Sequence, residues 1–192
     1  MRRSRWPAAA LLALAAACGP AAAEPVRYRL DPDNTFVWFE VQHFGTSTLR
    51  GRFGPVEGEV LLDRAAGRGE VGLRISTKTL DTGLPVLDQR LARSDLLNSE
   101  LAPTAYFVSR QFRFDGDRVA ELRGEFTLRD VGIPLTLKAI RFACRQDAER
   151  GSEVCGGDFE GRFNRSEFGM TFGLPFVADG VRLLVQVEGV RE

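Results

Sequence analysis

Short segments in which apolar and polar side chains alternate make up most of the chain after Pro25. In one of them, Val71, Leu73 and Ile75 alternate with glycine, arginine and serine. The same two-residue period recurs in segments 35–43, 59–63, 122–129, 159–164 and 181–188. This period is typical of strands that bury one face only, and such strands belong to antiparallel sheets.

One stretch departs from this alternation. Leu84, Leu87 and Leu91 are three and four residues apart, which is the spacing of one face of a helix, and Pro85 suits a first helical turn. The pattern therefore predicts a short helical segment near residues 84–97.

About eight strands of this kind have to cover their edges, and closure into a barrel is the simplest way to do so. No linker or internal repeat divides the chain. The sequence therefore predicts one all-β domain, an antiparallel barrel of about eight strands, whose interior is wide enough for side chains or one small ligand. Gly124 and Gly161 fall on interior positions, where they indicate either spare volume or bends in the strands.

Residues 1–23 have the pattern of an export signal. Three arginines precede an apolar run from Ala8 to Ala17, and Ala21-Ala22-Ala23 offers a small-residue cleavage site. We therefore expect a mature domain of residues 24–192 in the periplasm. The alternative is a lipoprotein, because Leu14-Ala15-Ala16-Ala17-Cys18 loosely resembles a lipidation box that would anchor the protein at Cys18.

Composition narrows the function classes. The 192 residues include 26 basic and 26 acidic side chains, one histidine and three cysteines. Loss of residues 1–23 removes three arginines and no acid, so the mature chain carries 23 basic and 26 acidic residues. A net charge of −3 gives no electrostatic basis for binding nucleic acid.

Cys144 and Cys155 remain as a pair in the mature chain. An oxidising compartment makes a disulfide the expected state of two such residues, and the polar stretch between them looks like a connection between strands. A redox centre would normally have a closer spacing of two intervening residues. The pair therefore predicts a structural disulfide.

His43 is the only histidine, and it shares a strand face with Val37, Phe39 and Val41. Nothing supplies the further ligands that a metal site needs, so we predict no metal. The side chain could be a hydrogen-bonded interior histidine, a ligand contact or a catalytic base. The last interpretation leaves one alternative function, a hydrolase of lipid esters that uses His43 with a nearby serine.

Four segments, in order along the chain, resemble the YceI-like family of bacterial exported proteins. They are Tyr28 to Phe53, with Leu30-Asp31-Pro32 and Phe39-Glu40-Val41-Gln42-His43-Phe44-Gly45; Ile75 to Asn98, with Asp81-Thr82-Gly83; Phe126 to Leu137; and Asn164 to Met170. The likeness covers essentially the whole mature chain. Glu167 stands where the family usually has Asp, and Lys78-Thr79-Leu80 is inserted before the Asp-Thr-Gly turn.

This resemblance implies a lipocalin-like barrel that encloses a polyisoprenoid lipid, such as an isoprenoid quinone or a polyprenyl phosphate. It implies no reaction and no cofactor, so we expect a non-enzymatic protein that carries, stores or sequesters its ligand. The length of the ligand, a peripheral contact with a membrane and the formation of a homodimer stay open.

An apolar interior suits an isoprenoid chain, because each buried methylene contributes about 0.8 kcal/mol. The predicted wall consists of the inward-facing apolar residues Phe39, Val41, Phe53, Val60, Leu62, Ile75, Phe107, Phe126, Leu137, Phe163, Phe168 and Met170. His43, Arg93 and Asn164 are the candidates for contact with a polar head group. Simple core packing is the alternative role for every residue of the wall.

Overall fold

The strands and the short helix of the structure follow the pattern of the sequence. The computed structural model describes residues 24–192, so the predicted leader and Cys18 lie outside the described residues. The strands are β1 (Val26–Leu30), β2 (Phe36–His43), β3 (Ser47–Phe53), β4 (Glu57–Asp63), β5 (Arg68–Ser76), β6 (Thr104–Asp115), β7 (Arg118–Leu128), β8 (Val131–Asp147), β9 (Ser152–Asn164) and β10 (Val177–Arg191). Helix α1 spans Pro85–Leu91, and two 3₁₀ helices span Thr77–Thr79 and Arg165–Phe168. No helix in the described part of the chain is long and apolar enough to cross a bilayer.

The strands close into an antiparallel barrel with eight strand positions, as predicted. The last strand, β10, closes the ring because it pairs with β1 near its end and with β2 along most of its length. Strands β1 and β2 therefore run in line and share one position in the barrel. Strands β3 and β4 share the next one, since β3 pairs with β2 and β4 pairs with β1.

The break between β1 and β2 is a turn at Asp31, and it does not reverse the chain. The Asp31 carboxylate accepts hydrogen bonds from the backbone N–H of Asp33 (3.1 Å) and from the side chains of Asn34 (3.0 Å) and Arg150 (2.6 Å). Burial opposes ionisation of Asp31, but these donors outweigh it and lower the pKa of the carboxyl group. The turn is thereby held as a kink, and the chain continues along the same edge of β10.

The barrel wall is incomplete on one side, where β3 has no neighbouring strand along its outer edge. Strand β5 pairs with β4 and ends at Ser76, and the backbone of Asp81 reaches β3 through two hydrogen bonds with Arg52 (2.9 and 3.0 Å). Residues 77–103, which we call the cap segment, fill the opening. Thr77 ties its two ends together, because its N–H donates to Pro103 (2.8 Å) and its hydroxyl to Ala102 (3.0 Å).

Helix α1 in the cap segment is shorter than the helical segment predicted from the sequence. The chain leaves the helix after Leu91 and continues through turns, and the N–H of Leu97 donates to the carbonyl of Leu91 (2.9 Å). This turn brings Leu96 and Leu97 onto the barrel interior, where they are buried or half-buried. Tertiary contact with the interior therefore ends the helix, although the apolar spacing alone would allow it to continue.

The two ends of the barrel differ in chemistry. At the closed end, turns 64–67, 116–117 and 148–151 connect the strands. There the buried Tyr28 hydroxyl donates to Glu153, which also pairs with Arg64 (2.7 Å). Burial and the hydrogen bond to Glu153 raise the pKa of Tyr28 to about 12, so the phenol stays protonated. The other end, which we call the cap end, carries the cap segment and the connections 44–46, 129–130 and 165–176.

Interior glycines make room for neighbouring side chains. A Cβ atom on Gly124 would lie 2.9 Å from the Phe107 ring, and one on Gly161 would lie 2.7 Å from Leu137. Gly51 similarly faces the ring of Phe39, at 2.6 Å. These glycines therefore allow large apolar side chains to fold against the wall, and the space beside them is occupied.

The predicted disulfide joins Cys144 and Cys155. The two residues are direct partners on β8 and β9, with their Cα atoms 4.0 Å apart. The sequence suggested that the stretch between the two cysteines is a connection. Most of it is strand, because β8 continues to Asp147 and β9 starts at Ser152. The bond therefore fastens the end of a long hairpin at the closed end of the barrel.

Replacement of both cysteines by serine is expected to lower the free energy of unfolding by about 2–3 kcal/mol, because the closed loop constrains the unfolded chain. Urea denaturation of wild type and of the double variant Cys144→Ser/Cys155→Ser measures this difference. Wild type in reductant should match the variant, and reductant should leave the variant unchanged. An unfolding midpoint unaffected by either change would contradict a structural role.

Candidate functional site

The half of the barrel next to the cap end encloses a cavity with about 120 Å³ of free volume, which we call the upper cavity. All of its accessible surface is apolar. Seven residues of the predicted wall line it: Phe39, Val41, Phe53, Ile75, Phe126, Phe163 and Met170. The arrangement follows from the alternation of the strands, which turns every second side chain of β2, β7 and β10 inward.

A second, smaller cavity of about 60 Å³ continues the interior toward the closed end. Its surface is almost entirely apolar, and it contains four more residues of the predicted wall: Val60, Leu62, Phe107 and Leu137. The Phe107 and Leu137 side chains are those that fold over Gly124 and Gly161. The interior is therefore one apolar column with free space in two places along its length.

Phe168, the last residue of the predicted wall, lies behind the cavity surface. It is buried, and its ring packs edge-on against Phe126 (5.6 Å between centroids) and Phe163 (5.3 Å). Phe126 and Phe163 are themselves 5.4 Å apart. Phe168 thus supports two rings that line the cavity, and packing of this kind holds their orientation.

The cap segment forms the wall where β3 lacks a neighbouring strand. Four residues of the cap segment line the cavity: Thr77 in the first 3₁₀ helix, and Leu91, Leu96 and Leu97 farther along. Ser99 is also buried, and its hydroxyl donates to the carbonyl of Thr77 (3.3 Å). A ligand that entered the upper cavity would therefore contact the cap segment as well as the barrel strands.

Arg165 is a residue of this region that the sequence pattern did not identify. It is 5% exposed, and its guanidinium donates to the carbonyl oxygens of Met170, Phe172, Val177 and Ala178. Since the cavity has no polar surface, Arg165 contributes only its aliphatic stem to the wall.

Burial lowers the pKa of Arg165, and the Asp179 carboxylate acts in the opposite direction. Asp179 itself accepts hydrogen bonds from the backbone N–H (2.8 Å) and the hydroxyl (2.6 Å) of Ser166. Arg165 thus fastens the connection 165–176, which includes Met170 of the wall, to the start of β10. Its position in the family motif from Asn164 to Met170 was the available signal.

The three predicted head-group contacts lie outside the cavity wall. Arg93 is exposed on the cap segment, and Asn164 is exposed at the end of β9, where Glu167 accepts from its backbone N–H (3.0 Å). His43 is half-buried at the cap end of β2, with its ring edge-on to Phe44 (4.6 Å). A role of these residues in contact with a head group stays a prediction.

His43 does not form the contact that a hydrolase requires. Within residues 24–192, no serine or threonine hydroxyl forms a hydrogen bond with the imidazole, and its cross-strand partner Ser47 is related to it by backbone register alone. Among the same residues, the imidazole also lacks the hydrogen bond expected of a buried core histidine. The structure therefore gives no observation in favour of nucleophilic catalysis at this position.

One group of metal-ligating residue types occurs within the described residues, and it consists of Cys144, Glu153 and Cys155. The two sulfur atoms are joined in the disulfide, so neither is a thiolate ligand. Glu153 is engaged by Tyr28 and Arg64. The group is part of the closed end and is remote from the upper cavity.

Comparison with known proteins gives a consistent result along the whole domain. The family model for the YceI-like domain matches residues 28–189. A UPF0312 protein of Pseudomonas aeruginosa and Protein YceI of Escherichia coli O157:H7 are each 31% identical over 168 residues, which is 86% of this chain and 87% of the relative.

Solved structures share the fold at lower identity. BcnA of Burkholderia cenocepacia superposes with a TM-score of 0.66 at 18% identity, over 83% of this chain and 98% of that one. A polyisoprenoid binding domain from Saccharophagus degradans, implicated in plant cell wall breakdown, gives 0.58 at 13% identity, over 86% and 98%. At these identities the likeness concerns the barrel architecture.

Arg165→Met is expected to lower the free energy of unfolding by about 3 kcal/mol or more, because four carbonyl groups lose their donor in a buried setting. Amide hydrogen exchange in residues 169–178 should become faster. Urea denaturation and exchange measured by mass spectrometry check both effects. Arg162→Met, on the exposed face of β9, is the matched control and should cost at most about 0.5 kcal/mol. Equal effects of the two substitutions would contradict the role given to Arg165.

Proposed function

Because this chain belongs to the YceI-like domain family, we propose that it binds the hydrocarbon chain of a polyisoprenoid lipid inside its barrel. The protein does so in the periplasm and without chemical change of the ligand. Carriage, storage or sequestration of the lipid are the outcomes of such binding. A Saccharophagus degradans protein of the same fold is described as a polyisoprenoid binding domain, which supports this ligand class.

The observation that carries the proposal is the wholly apolar surface of the upper cavity. Such a surface offers no partner to a phosphate, a quinone oxygen or a hydroxyl, and an unpaired polar group there would be strongly disfavoured. The ligand therefore places its hydrocarbon chain in the cavity and keeps its polar head at the cap end, in contact with water. Affinity comes from the buried methylene and methyl groups, at about 0.8 kcal/mol each.

The size of the cavity bears on how the chain enters. Its free volume of about 120 Å³ is close to that of an engineered cavity of roughly 150 Å³ that takes up benzene. This volume accommodates on the order of one isoprene unit. Longer chains need the interior to widen, and we expect the cap segment to be the part of the wall that moves, because the Arg52–Asp81 bridge joins it to β3 in place of a continuous ladder.

Three further observations support a binding role in an exported protein. The disulfide between Cys144 and Cys155 is typical of oxidising compartments. The arginine-led apolar start of the chain is typical of export signals. The single histidine lacks a hydroxyl partner among the described residues, which is consistent with binding without turnover.

Mass spectrometry of an organic extract of the protein, purified from its native host without detergent, tests the ligand class. We expect an isoprenoid quinone, a polyprenol or a polyprenyl phosphate in the extract. A clean extract, together with no measurable binding of an added quinone or polyprenol, would overturn the proposal.

Ala105→Met is expected to weaken binding of a polyprenol by about tenfold or more, because the longer side chain occupies the space of two or three chain carbons. Ala105 is buried and lines the upper cavity. The matched control is Ala143→Met, which makes the same replacement on an exposed residue of β8. Titration with a fluorescent polyprenol analogue measures both.

Thermal unfolding of the two variants shows whether the fold is kept, since overpacking costs about 1–3 kcal/mol. Unchanged binding by folded Ala105→Met would contradict binding in the upper cavity. Equal loss in both variants would also contradict it.

A further inference from the structure

Exposed apolar side chains are concentrated at the cap end of the barrel. Of eleven large hydrophobic residues that are exposed among the described residues, seven lie there: Phe44, Leu84, Val86, Leu101, Val131, Phe172 and Phe176. The turns of the closed end, 64–67, 116–117 and 148–151, contain none of them. The remaining four lie on the outer faces of strands and away from the connections of the cap end: Trp38 on β2, Tyr106 and Val108 on β6, and Ile140 on β8. A cluster of this kind marks a binding surface, whereas isolated residues need no explanation.

Five of these residues form a group that we call the rim: Phe44, Leu84, Val86, Phe172 and Phe176. Phe44 and Phe176 stack with their ring centroids 5.5 Å apart, although they are 58% and 63% exposed. The N–H of Phe44 also donates to the carbonyl of Phe176. The guanidinium of Arg90, on the same helix as Val86, lies 4.0 Å from the ring centroid of Phe172. Connections 44–46 and 165–176 therefore place aromatic side chains in contact, and Arg90 brings the helix that carries Val86 against Phe172.

The rim belongs to the same chain segments that close the cavity. Leu84 is the N-cap and Val86 lies in the first turn of the helix whose last residue, Leu91, lines the cavity. Phe172 and Phe176 lie in the connection that carries Met170 of the wall, and Arg165 holds the carbonyl groups of both Met170 and Phe172. The exposed apolar surface is therefore continuous, along the backbone, with the elements that a ligand has to pass.

Charge around the rim is balanced. The cap segment contains three basic and four acidic residues, and Arg90 is paired with Asp95 through two hydrogen bonds of 2.8 and 2.7 Å. Connections 129–130 and 165–176 each add one basic and one acidic residue. Such a surface attracts anionic groups no more strongly than neutral ones. Its contacts are therefore governed by the burial of apolar side chains.

We propose that the rim docks the cap end onto the surface of a neutral phospholipid bilayer, with the aromatic side chains inserted at the head-group level. The choice of a bilayer as occupant rests on the proposed function, because a polyisoprenoid lipid is held in a membrane and has to reach the cap end without crossing water. The aromatic side chains of the rim suit the boundary between head groups and acyl chains. Attachment by apolar insertion is insensitive to salt.

Flotation with phosphatidylcholine vesicles that contain no polyisoprenoid tests docking separately from ligand binding. Residues 24–192 are expected to float with the vesicles, equally at low and high salt and without gain from added phosphatidylglycerol. The variant Phe44→Ser/Phe172→Ser/Phe176→Ser should bind about tenfold or more weakly. The matched control Val108→Ser/Ile140→Ser removes residues that are similarly exposed, at 51% and 58%, from the outer faces of β6 and β8 and should bind as wild type does.

A second measurement does not depend on the triple variant. Phe44→Trp, in a background with Trp38→Phe, is expected to be quenched by vesicles that carry a nitroxide near the head groups. Any of three results would overturn docking. Wild type could stay with the aqueous phase, the triple variant and the control could lose binding equally, or the fluorescence of the introduced tryptophan could remain unquenched. A dimer that forms through the rim, shown by sedimentation and lost in the triple variant, would do so as well. If docking fails while an added polyprenol still binds, the proposed function stands and the docking surface is wrong.

Discussion

Closure of the sheet is the constraint on which the other features depend. Strand β10 pairs with β9 along one edge and with both β1 and β2 along the other, so the ring closes through a strand that is interrupted at Asp31. The neighbouring position in the ring is therefore also divided between two strands. Strand β4 pairs with β5, whereas β3 does not pair with β5. This unpaired edge of β3 would leave backbone groups and apolar side chains exposed. The cap segment covers this edge and thereby forms part of the cavity wall.

The chemistry of the interior follows from the same closure. Because apolar and polar side chains alternate along the strands, closure of the sheet turns the apolar ones toward the interior. Glycines at 51, 124 and 161 leave room for the large neighbours Phe39, Phe107 and Leu137 to pack against this inner surface. A polar group beside the interior forms its hydrogen bonds away from the cavity, as the Arg165 guanidinium does with four carbonyl groups. Recognition inside the barrel is therefore a matter of shape and apolar area, and the polar chemistry of a ligand is left to the cap end.

The sequence predicted most of the strands, the barrel and the disulfide, because period-two alternation is a local signal and the mature chain contains one pair of cysteines. Eleven of the twelve residues assigned to the wall line the two cavities, and Phe168 lies behind them. It did not predict features that depend on contacts between distant segments. The gap beside β3 exists only once β1 and β2 share a position in the ring, and α1 ends early because Leu96 and Leu97 turn inward. Arg165 lies in a 3₁₀ helix, where the alternation of β9 stops. Asn164 has an outward position in that alternation, and it is exposed in the structure.

Photo-crosslinking with a polyprenyl probe that carries its reactive group at the end of the chain farthest from the head is the most direct test. If the hydrocarbon chain is bound inside the barrel with the head at the cap end, the probe attaches to residues of the upper cavity, such as Phe126, Met170 and Leu183. Excess unlabelled polyprenol should then suppress the reaction. Attachment confined to outward-facing residues, such as Trp38 and Val108, would show that the chain is not held in the interior and would contradict the account.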